Sequence, residues 1–333
     1  MVKEILRRRR FIPHRKGEHD GEREVPQNMW ISCSKCHQLL YAKEYEDNLK
    51  VCPKCGHHAQ LNAQERIATL LDEDSFAELD PGLSSTDPLK FHAGDHIYAE
   101  KLASDRRKTG LVEALLYGRG RLEDRPVVLA VHNFPFRGGS MGVVVGEKLA
   151  RAIELAAMER IPLIIVSASG GARQDEGVLS LMQMAKTTAA LARLSEAMTP
   201  YISLLTDPTI GGVPASYAML GDVNVAEPGA YIGFAGKRVV EQTTRMKSST
   251  TLPTAEFMLR HGMIDLIVSR ADLRPTLARL LRLYAAQSYR LPAPTNPGGS
   301  TSTPYGGNGA SSNHAREQIG LLASQQVGSG HEG

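Results

Sequence analysis

The chain has 333 residues, 42% of them hydrophobic, which is enough to bury a sizeable core in one large domain or two ordinary ones. Its formal net charge of +3 is too small to imply a polyanionic partner, and the excess lies in residues 1–25, where basic residues outnumber acidic ones. No run approaches the roughly 18–20 apolar residues of a membrane span, and no apolar stretch of a signal peptide follows the early arginines, so a soluble, cytoplasmic protein with no membrane partner is expected.

Residues 1–27 lack apolar periodicity and read as a basic, flexible lead-in. Arg7–Arg10 fits either a solvated terminus or an arm for nucleic acid or a membrane surface. Residues 28–58 form a cysteine module that contains all 4 cysteines of the chain. Cys33 and Cys36 form one C-x-x-C pair, Cys52 and Cys55 a second. Each pair presents two thiolates from a tight knuckle, and four thiolates close a tetrahedral Zn²⁺ site with no open position. Two redox pairs or two disulfides are the competing readings. His37, His57 and His58 are bystanders to a closed site, Trp30 is expected to pack on the module, and Tyr41, Leu49 and Val51 to form its small core.

The body spans residues 59–290. A short helix is expected over 63–71 and another over 98–108, whose basic end (Arg106, Arg107, Lys108) suits the helix dipole. Leu111–Tyr117 and Val127–Val131 are strand-like, with Gly118-Arg119-Gly120 and the 122–126 segment between them as turns. A glycine-rich loop, Gly138-Gly139-Ser140-Met141-Gly142, opens onto a helix over 145–159, whose apolar residues at Leu149, Ile153, Ala156 and Ala157 would pack on a sheet.

Two related units follow. The run Ile161–Ser169 reads as a buried strand ending in Gly170-Gly171, before a helical stretch over 174–197. Tyr201–Thr206 reads as a second strand, followed by Gly211-Gly212. Paired glycines allow a sharp turn and close approach of a ligand, and backbone N–H groups fixed there can stabilise a developing oxyanion. A packing turn is the simpler reading of a single glycine pair; two at corresponding positions plus a third glycine-rich loop fit a packing role and an oxyanion role equally well. Short strands over 230–234 and 264–268 and helices over 254–262 and 273–287 complete the body. Residues 291–333 are rich in Gly, Ser, Thr, Asn and Pro and read as a disordered polar tail. The chain lacks G-x-G-x-x-G, a P-loop and G-x-S-x-G, and no acidic dyad stands out.

From the zinc module through about residue 270 the chain resembles the β subunits of bacterial and plastid-type acetyl-CoA carboxylase carboxyltransferases. The resemblance rests on Val51-Cys52-Pro53-Lys54-Cys55-Gly56, Gly138–Gly142, Ser167–Arg173, Ser180–Thr187, Leu205–Val213, Gly221-Asp222, Ala226-Glu227-Pro228 and Ile232–Gly236. It implies a crotonase-like (ClpP/crotonase) α/β fold of stacked ββα units behind an N-terminal four-cysteine zinc ribbon. It implies transfer of a carboxyl group from carboxybiotin on a biotin carboxyl carrier protein to acetyl-CoA, giving malonyl-CoA for fatty acid synthesis. A separate α subunit would complete an α2β2 assembly, and ATP would be used by biotin carboxylase on another polypeptide.

By the same resemblance, Gly170, Gly171, Gly211 and Gly212 are the oxyanion turns. Gly138, Gly139, Ser140, Met141 and Gly142 line the CoA channel, and Arg173, Lys237 and Arg238 are candidates for CoA phosphates. Lys237 stands where the family commonly has proline, and residues 245–254 lack the family's Gly-Phe-Gln. Another acyl-CoA such as propionyl-CoA, or a nucleic-acid role for the zinc ribbon, are the alternatives.

Overall fold

The computed structural model describes residues 29–235 and 253–287. The lead-in over 1–27, the candidates Lys237 and Arg238, and the tail over 291–333 lie outside the described residues.

The ribbon is a small hairpin, β1 (Trp30–Ser32) antiparallel to β2 (Leu39–Tyr41), followed by α1 (Ala42–Asp47). Its core is Cys33, Leu40, Tyr45 and Cys52, rather than the expected Tyr41, Leu49 and Val51. Trp30 is 60% exposed, its ring edge-on to Tyr41, so it lies over the ribbon and does not fill it.

The body begins with α2 (Ala63–Leu70), held by a complete capping box between Asn62 and Glu65. After β3 (Ala77–Glu78) and a small hairpin of β4 (His92–Ala93) and β5 (His96–Ile97), α3 spans Tyr98–Thr109. Gly110 ends it at φ 69°, a left-handed conformation that glycine adopts without penalty. Then come β6 (Leu115–Leu122), β7 (Arg125–His132), α4 (Val143–Glu159), β8 (Leu163–Ser169), α5 (Val178–Glu196) and β9 (Tyr201–Ile210). The last described elements are β10 (Val223–Ala226), β11 (Ile232–Gly233), α6 (Ala255–Arg260), β12 (Leu266–Ile267) and α7 (Arg270–Gln287).

One mixed sheet carries the body in the order β12-β10-β9-β8-β7-β6-β3, with β11 also paired to β9. The β3–β6 and β6–β7 pairs are antiparallel, and the rest are parallel. The order β6-β7-α4, then β8-α5, is the ββα stacking of a crotonase-like fold. Alternation along β8 sends Leu163 and Ile165 into the core under α4 and α5, and Ile164 and Val166 into the core under α2 and α7. The strand is buried along its whole length, which is why its sequence reads as a continuous apolar run.

Two local expectations change. Gly118 and Gly120 lie inside β6, and the reversal is Glu123-Asp124, both at positive φ. The reason is space: a Cβ on Gly118 would lie 2.1 Å from the Ala77 carbonyl oxygen, and one on Gly120 2.4 Å from Leu71. The stretch expected as one helix over 174–197 is a 3₁₀ turn, Gln174–Glu176, followed by α5, with Gly177 at φ 51° between them.

Candidate active site and metal centre

All three glycine segments converge at one end of the parallel strands. Gly170-Gly171 follows β8 and Gly211-Gly212 follows β9, and β8 and β9 pair in parallel. The two turns touch: a Cβ on Gly171 would lie 3.3 Å from Gly211 Cα and 3.5 Å from Gly212 N. A Cβ on Gly211 would lie 3.1 Å from Gly171 Cα. The glycine-rich loop joins them from the other side. Gly170 N–H donates to Gly138 O (2.8 Å), Met141 N–H to Gly171 O (2.8 Å) and Arg173 N–H to Met141 O (2.9 Å). Only glycine fits at 139, where a Cβ would lie 2.0 Å from the Ala168 carbonyl oxygen and φ is 63°.

Most N–H groups of the glycine pairs are already engaged. Besides Gly170, Gly171 N–H donates to Ser169 Oγ (3.1 Å) and Gly211 N–H to Gly233 O (3.0 Å). Among the described residues the N–H groups of Gly212 and its neighbour across the junction, Ala172, have no partner. Both residues are half-buried. An unpaired backbone N–H fixed by its surroundings is the kind of group that can donate to an anionic oxygen.

The loop over 138–142 is less open than expected of a channel lining. Gly138 and Ser140 are half-buried, whereas Gly139, Met141 and Gly142 are buried, Met141 within the main core. The N-terminus of α4, a natural anion site, is occupied from within: Glu176 Oε2 accepts the Val143 N–H at 2.5 Å. A Cβ on Gly142 would lie 2.6 Å from the same carboxylate.

Arg173 does not fit its expected role as a phosphate contact. It is 1% exposed, and its guanidinium is spent on Glu113 Oε1 (2.6 Å), Ser140 O (2.9 Å), Ser85 Oγ (2.9 Å) and Ser140 Oγ (3.0 Å). A buried guanidinium is retained only when its donors are satisfied and its charge is paired, and here both conditions hold. Burial pushes the Glu113 carboxyl up, but the Arg173 charge and fork outweigh it and hold the carboxyl below its usual range.

Behind the loop lies a fully buried pair that the sequence reading missed. His132 Nδ1 lies 3.0 Å from Gly139 O and Nε2 lies 2.6 Å from Tyr217 Oη. A carbonyl only accepts, so Nδ1 carries the proton and Nε2 accepts from the phenol. Burial holds His132 neutral, its pKa pulled down to about 4. Among the described residues no unpaired carboxylate faces the junction: Asp175 is bonded to His96 (2.5 Å) and to Arg137, and Glu176 to Tyr98 Oη (2.5 Å).

The metal centre is separate. The four cysteines are unbridged, and their sulfurs lie within 4.8 Å of one another. Cys33 Sγ and Cys55 Sγ are 3.8 Å apart, as are Cys36 Sγ and Cys52 Sγ. A zinc–sulfur bond of about 2.3 Å gives a tetrahedral edge of about 3.8 Å, so the cluster has the right size for Zn²⁺. The spacing exceeds a disulfide bond, and four close thiolates need a cation to offset their mutual repulsion. The site is a structural zinc site, closed by Cys33, Cys36, Cys52 and Cys55.

The ribbon is fastened to the body through a buried ion cluster, of which only Glu227, within Ala226-Glu227-Pro228, stood out in the sequence. Arg270, at the start of α7, donates to Leu49 O (2.6 Å) of the ribbon and to Ala59 O (2.8 Å) just beyond it, and its backbone N–H to His58 Nε2 (3.2 Å) of the ribbon. Its guanidinium also binds Glu227 (2.8 Å), which accepts from Arg66 of α2 at 2.6 Å. Burial alone pushes the Glu227 carboxyl up, but the two arginines hold it at about 2. His58 is therefore a docking residue.

Sheet, glycine junction and ribbon together define a carboxyltransferase of crotonase-like fold. The carboxyl transferase domain family matches residues 56–295, and the acetyl-CoA carboxylase zinc finger domain family matches residues 30–55. The acetyl-coenzyme A carboxylase carboxyl transferase subunit beta of Chloroflexus aurantiacus is 51% identical over 282 residues, covering 84% of this chain and 92% of that protein. The subunit of the same name in Desulforamulus reducens is 50% identical over 289 residues, covering 85% and 99%. Among solved structures, transcarboxylase 12S with methylmalonyl-coenzyme A and methylmalonic acid bound superposes with a TM-score of 0.56 at 25% identity. That match covers 67% of this chain and 41% of the transcarboxylase chain, so this chain spans about two fifths of it. A Pseudomonas malonate decarboxylase heterodimer superposes with a TM-score of 0.52 at 25% identity, covering 69% of this chain and 92% of that one. The chain belongs to the family of acetyl-CoA carboxylase carboxyl transferase β subunits.

Proposed function

We propose that the chain transfers a carboxyl group from carboxybiotin, carried by a biotin carboxyl carrier protein, to acetyl-CoA, forming malonyl-CoA in the cytoplasm. The observation that carries this reading is the contact of the two glycine turns, with open N–H groups at Gly212 and Ala172 and, among the described residues, no free carboxylate beside them. Two oxygens gain negative charge in this reaction: the thioester oxygen of the acetyl enolate and the ureido oxygen of biotin. Fixed backbone donors in a site that excludes water stabilise such charge by about 3–4 kcal/mol per donor.

The N–CO₂ bond of carboxybiotin breaks with its electron pair on the ureido group. That group takes a methyl proton of acetyl-CoA, and the enolate carbon bonds to the released CO₂. Because the ureido group takes the proton, the reaction requires no side-chain base from the chain. His132 lies behind the loop, neutral and fully bonded, and its part is to hold Gly139.

One chain supplies part of the site, and an α subunit supplies the rest in an α2β2 assembly. The surface beside the junction supports a partner. Val178, Leu181 and Met182, at i, i+3 and i+4 of α5, are 66%, 55% and 60% exposed, and Phe234 beside Gly211 is 79% exposed. Carboxybiotin arises on biotin carboxylase, which uses the ATP. The test combines this chain, the α subunit and a carboxylated carrier with acetyl-CoA or propionyl-CoA. Malonyl-CoA formed well above methylmalonyl-CoA is expected. Equal or greater methylmalonyl-CoA would reassign the substrate, and neither product would overturn the reading.

A further inference from the structure

We propose that Arg173 is a positioning residue that fixes the distance between the glycine-rich loop and the Gly170-Gly171 turn. The inference rests on the reading above, in which these segments carry the carboxyl transfer, and assigns Arg173 a part that touches no substrate.

The geometry is that of a cross-brace. Arg173 leaves the turn through its backbone and returns to the loop through its side chain. Its N–H donates to Met141 O (2.9 Å), while Nε and one terminal nitrogen donate to Ser140 Oγ (3.0 Å) and Ser140 O (2.9 Å). One residue therefore grips two successive loop residues from both ends of its own chain. The loop cannot slide along the turn without breaking these bonds together, along with those of Gly170 to Gly138 and Met141 to Gly171.

The far side of the guanidinium is anchored as firmly. Glu113 takes it at 2.6 Å, and that carboxylate also accepts the backbone N–H groups of Ser85 (3.2 Å) and Ala114 (2.8 Å). Ser85 Oγ and Tyr98 Oη lie 2.9 and 3.2 Å from the second terminal nitrogen. Glu176 lies 3.3 Å away and carries the first N–H of α4. The start of α4, the loop, the turn and the start of α3 are all tied to one cation that is 1% exposed. The planar, five-donor guanidinium can satisfy partners on three sides at once, which an ammonium cannot.

The tolerance is small. A Cβ at Gly139 would already lie 2.0 Å from Ala168 O, and the turn meets Gly211-Gly212 at van der Waals distance on its other side. A shift of the loop therefore passes to the open donors at Ala172 and Gly212, where misplacement by about 1 Å costs about 10²-fold in rate.

The test uses Arg173→Lys in the complete complex with the α subunit. Lysine keeps the charge opposite Glu113 and loses the fork, so the change targets the brace. Turnover is expected to fall by about tenfold or more while KM for acetyl-CoA stays within about threefold, because the donors act on the transition state. Amide exchange in the peptide over 137–145 should accelerate, with the peptide over 125–132 unchanged. Ser140→Ala, which removes one brace contact and strands no buried charge, should accelerate the same peptide to a smaller degree.

Wild-type exchange over 137–145 in Arg173→Lys, or equal acceleration across every peptide, would overturn the positioning role. The exchange measurement needs no product. If the wild-type complex made no malonyl-CoA yet the loop loosened in the variant, the reaction would be wrong and the brace right.

Discussion

Replacing Gly171 with alanine tests the glycine junction with one added methyl group. Gly171 sits at φ 107°, where L residues are rarely found, and the new Cβ would lie 3.2 Å from Ile210 O and 3.3 Å from Gly211 Cα. Holding alanine there costs about 1–3 kcal/mol of backbone strain. The contacts are tighter than ordinary, so the two turns must part by a few tenths of an ångström. If misplacement by 1 Å costs about 10²-fold, a separation of ~0.3–0.5 Å gives a fall in turnover of about 4- to 10-fold.

The assay is malonyl-CoA formation in the complete complex, with thermal unfolding of the same preparations. Gly262→Ala is the control: it sits at φ 68° with nothing within 4 Å of the added Cβ, so it meets strain without a wedge. It should lower stability by about 1–2 kcal/mol and leave turnover unchanged. Turnover of Gly171→Ala within about twofold of wild type, or an equal loss in Gly262→Ala, would refute the reasoning.

Cys33→Ala should abolish stoichiometric zinc, measured by metal analysis, and unfold the ribbon before the body; retained zinc would count against four-thiolate ligation. Glu227→Gln leaves Arg66 and Arg270 buried without their counter-charge and should lower stability by about 3–5 kcal/mol in urea unfolding, with faster zinc loss to a chelator as the ribbon loosens. His132 predicts a pH dependence. Its folded pKa of about 4 lies below the ordinary 6.5, so the unfolded chain binds a proton that the folded chain refuses. Its contribution is complete above the unfolded value and is lost as pH falls from there towards 4, by roughly 3 kcal/mol at the limit. In His132→Gln the slope of stability against pH over that range should be shallower, with a residue left by His57 and His58, which burial also holds down.

Features written in local periodicity were legible in the sequence. The buried run of β8, the amphipathic α4 and the two C-x-x-C knuckles each carry a pattern within a short window, and each formed where expected. Glycines were legible as glycines but not in purpose. Gly118 and Gly120 look like a turn, yet serve the approach of Ala77 and Leu71, residues more than 40 positions away. Gly177 interrupts a stretch of good helix formers because its backbone takes a positive φ between two helices.

The charged interior was the least legible. Arg173 and Glu113 are 60 positions apart, and Arg270 and Glu227 are 43 apart. Long-range ion pairs leave no periodic trace. An arginine beside a glycine turn looks like an anion contact until its burial and its carboxylate are seen. The open N–H groups at Ala172 and Gly212 were invisible for a related reason: which backbone donors stay unpaired depends on strands brought together from across the chain.

The most direct measurement is a structure of the complete complex with the α subunit, holding a CoA thioester enolate analogue and biotin. At least one of the two charged oxygens, thioester or ureido, should lie about 2.7–3.1 Å from the N–H of Gly212 or Ala172. Both oxygens held by other groups, with these two N–H groups facing away from the ligands, would contradict the account.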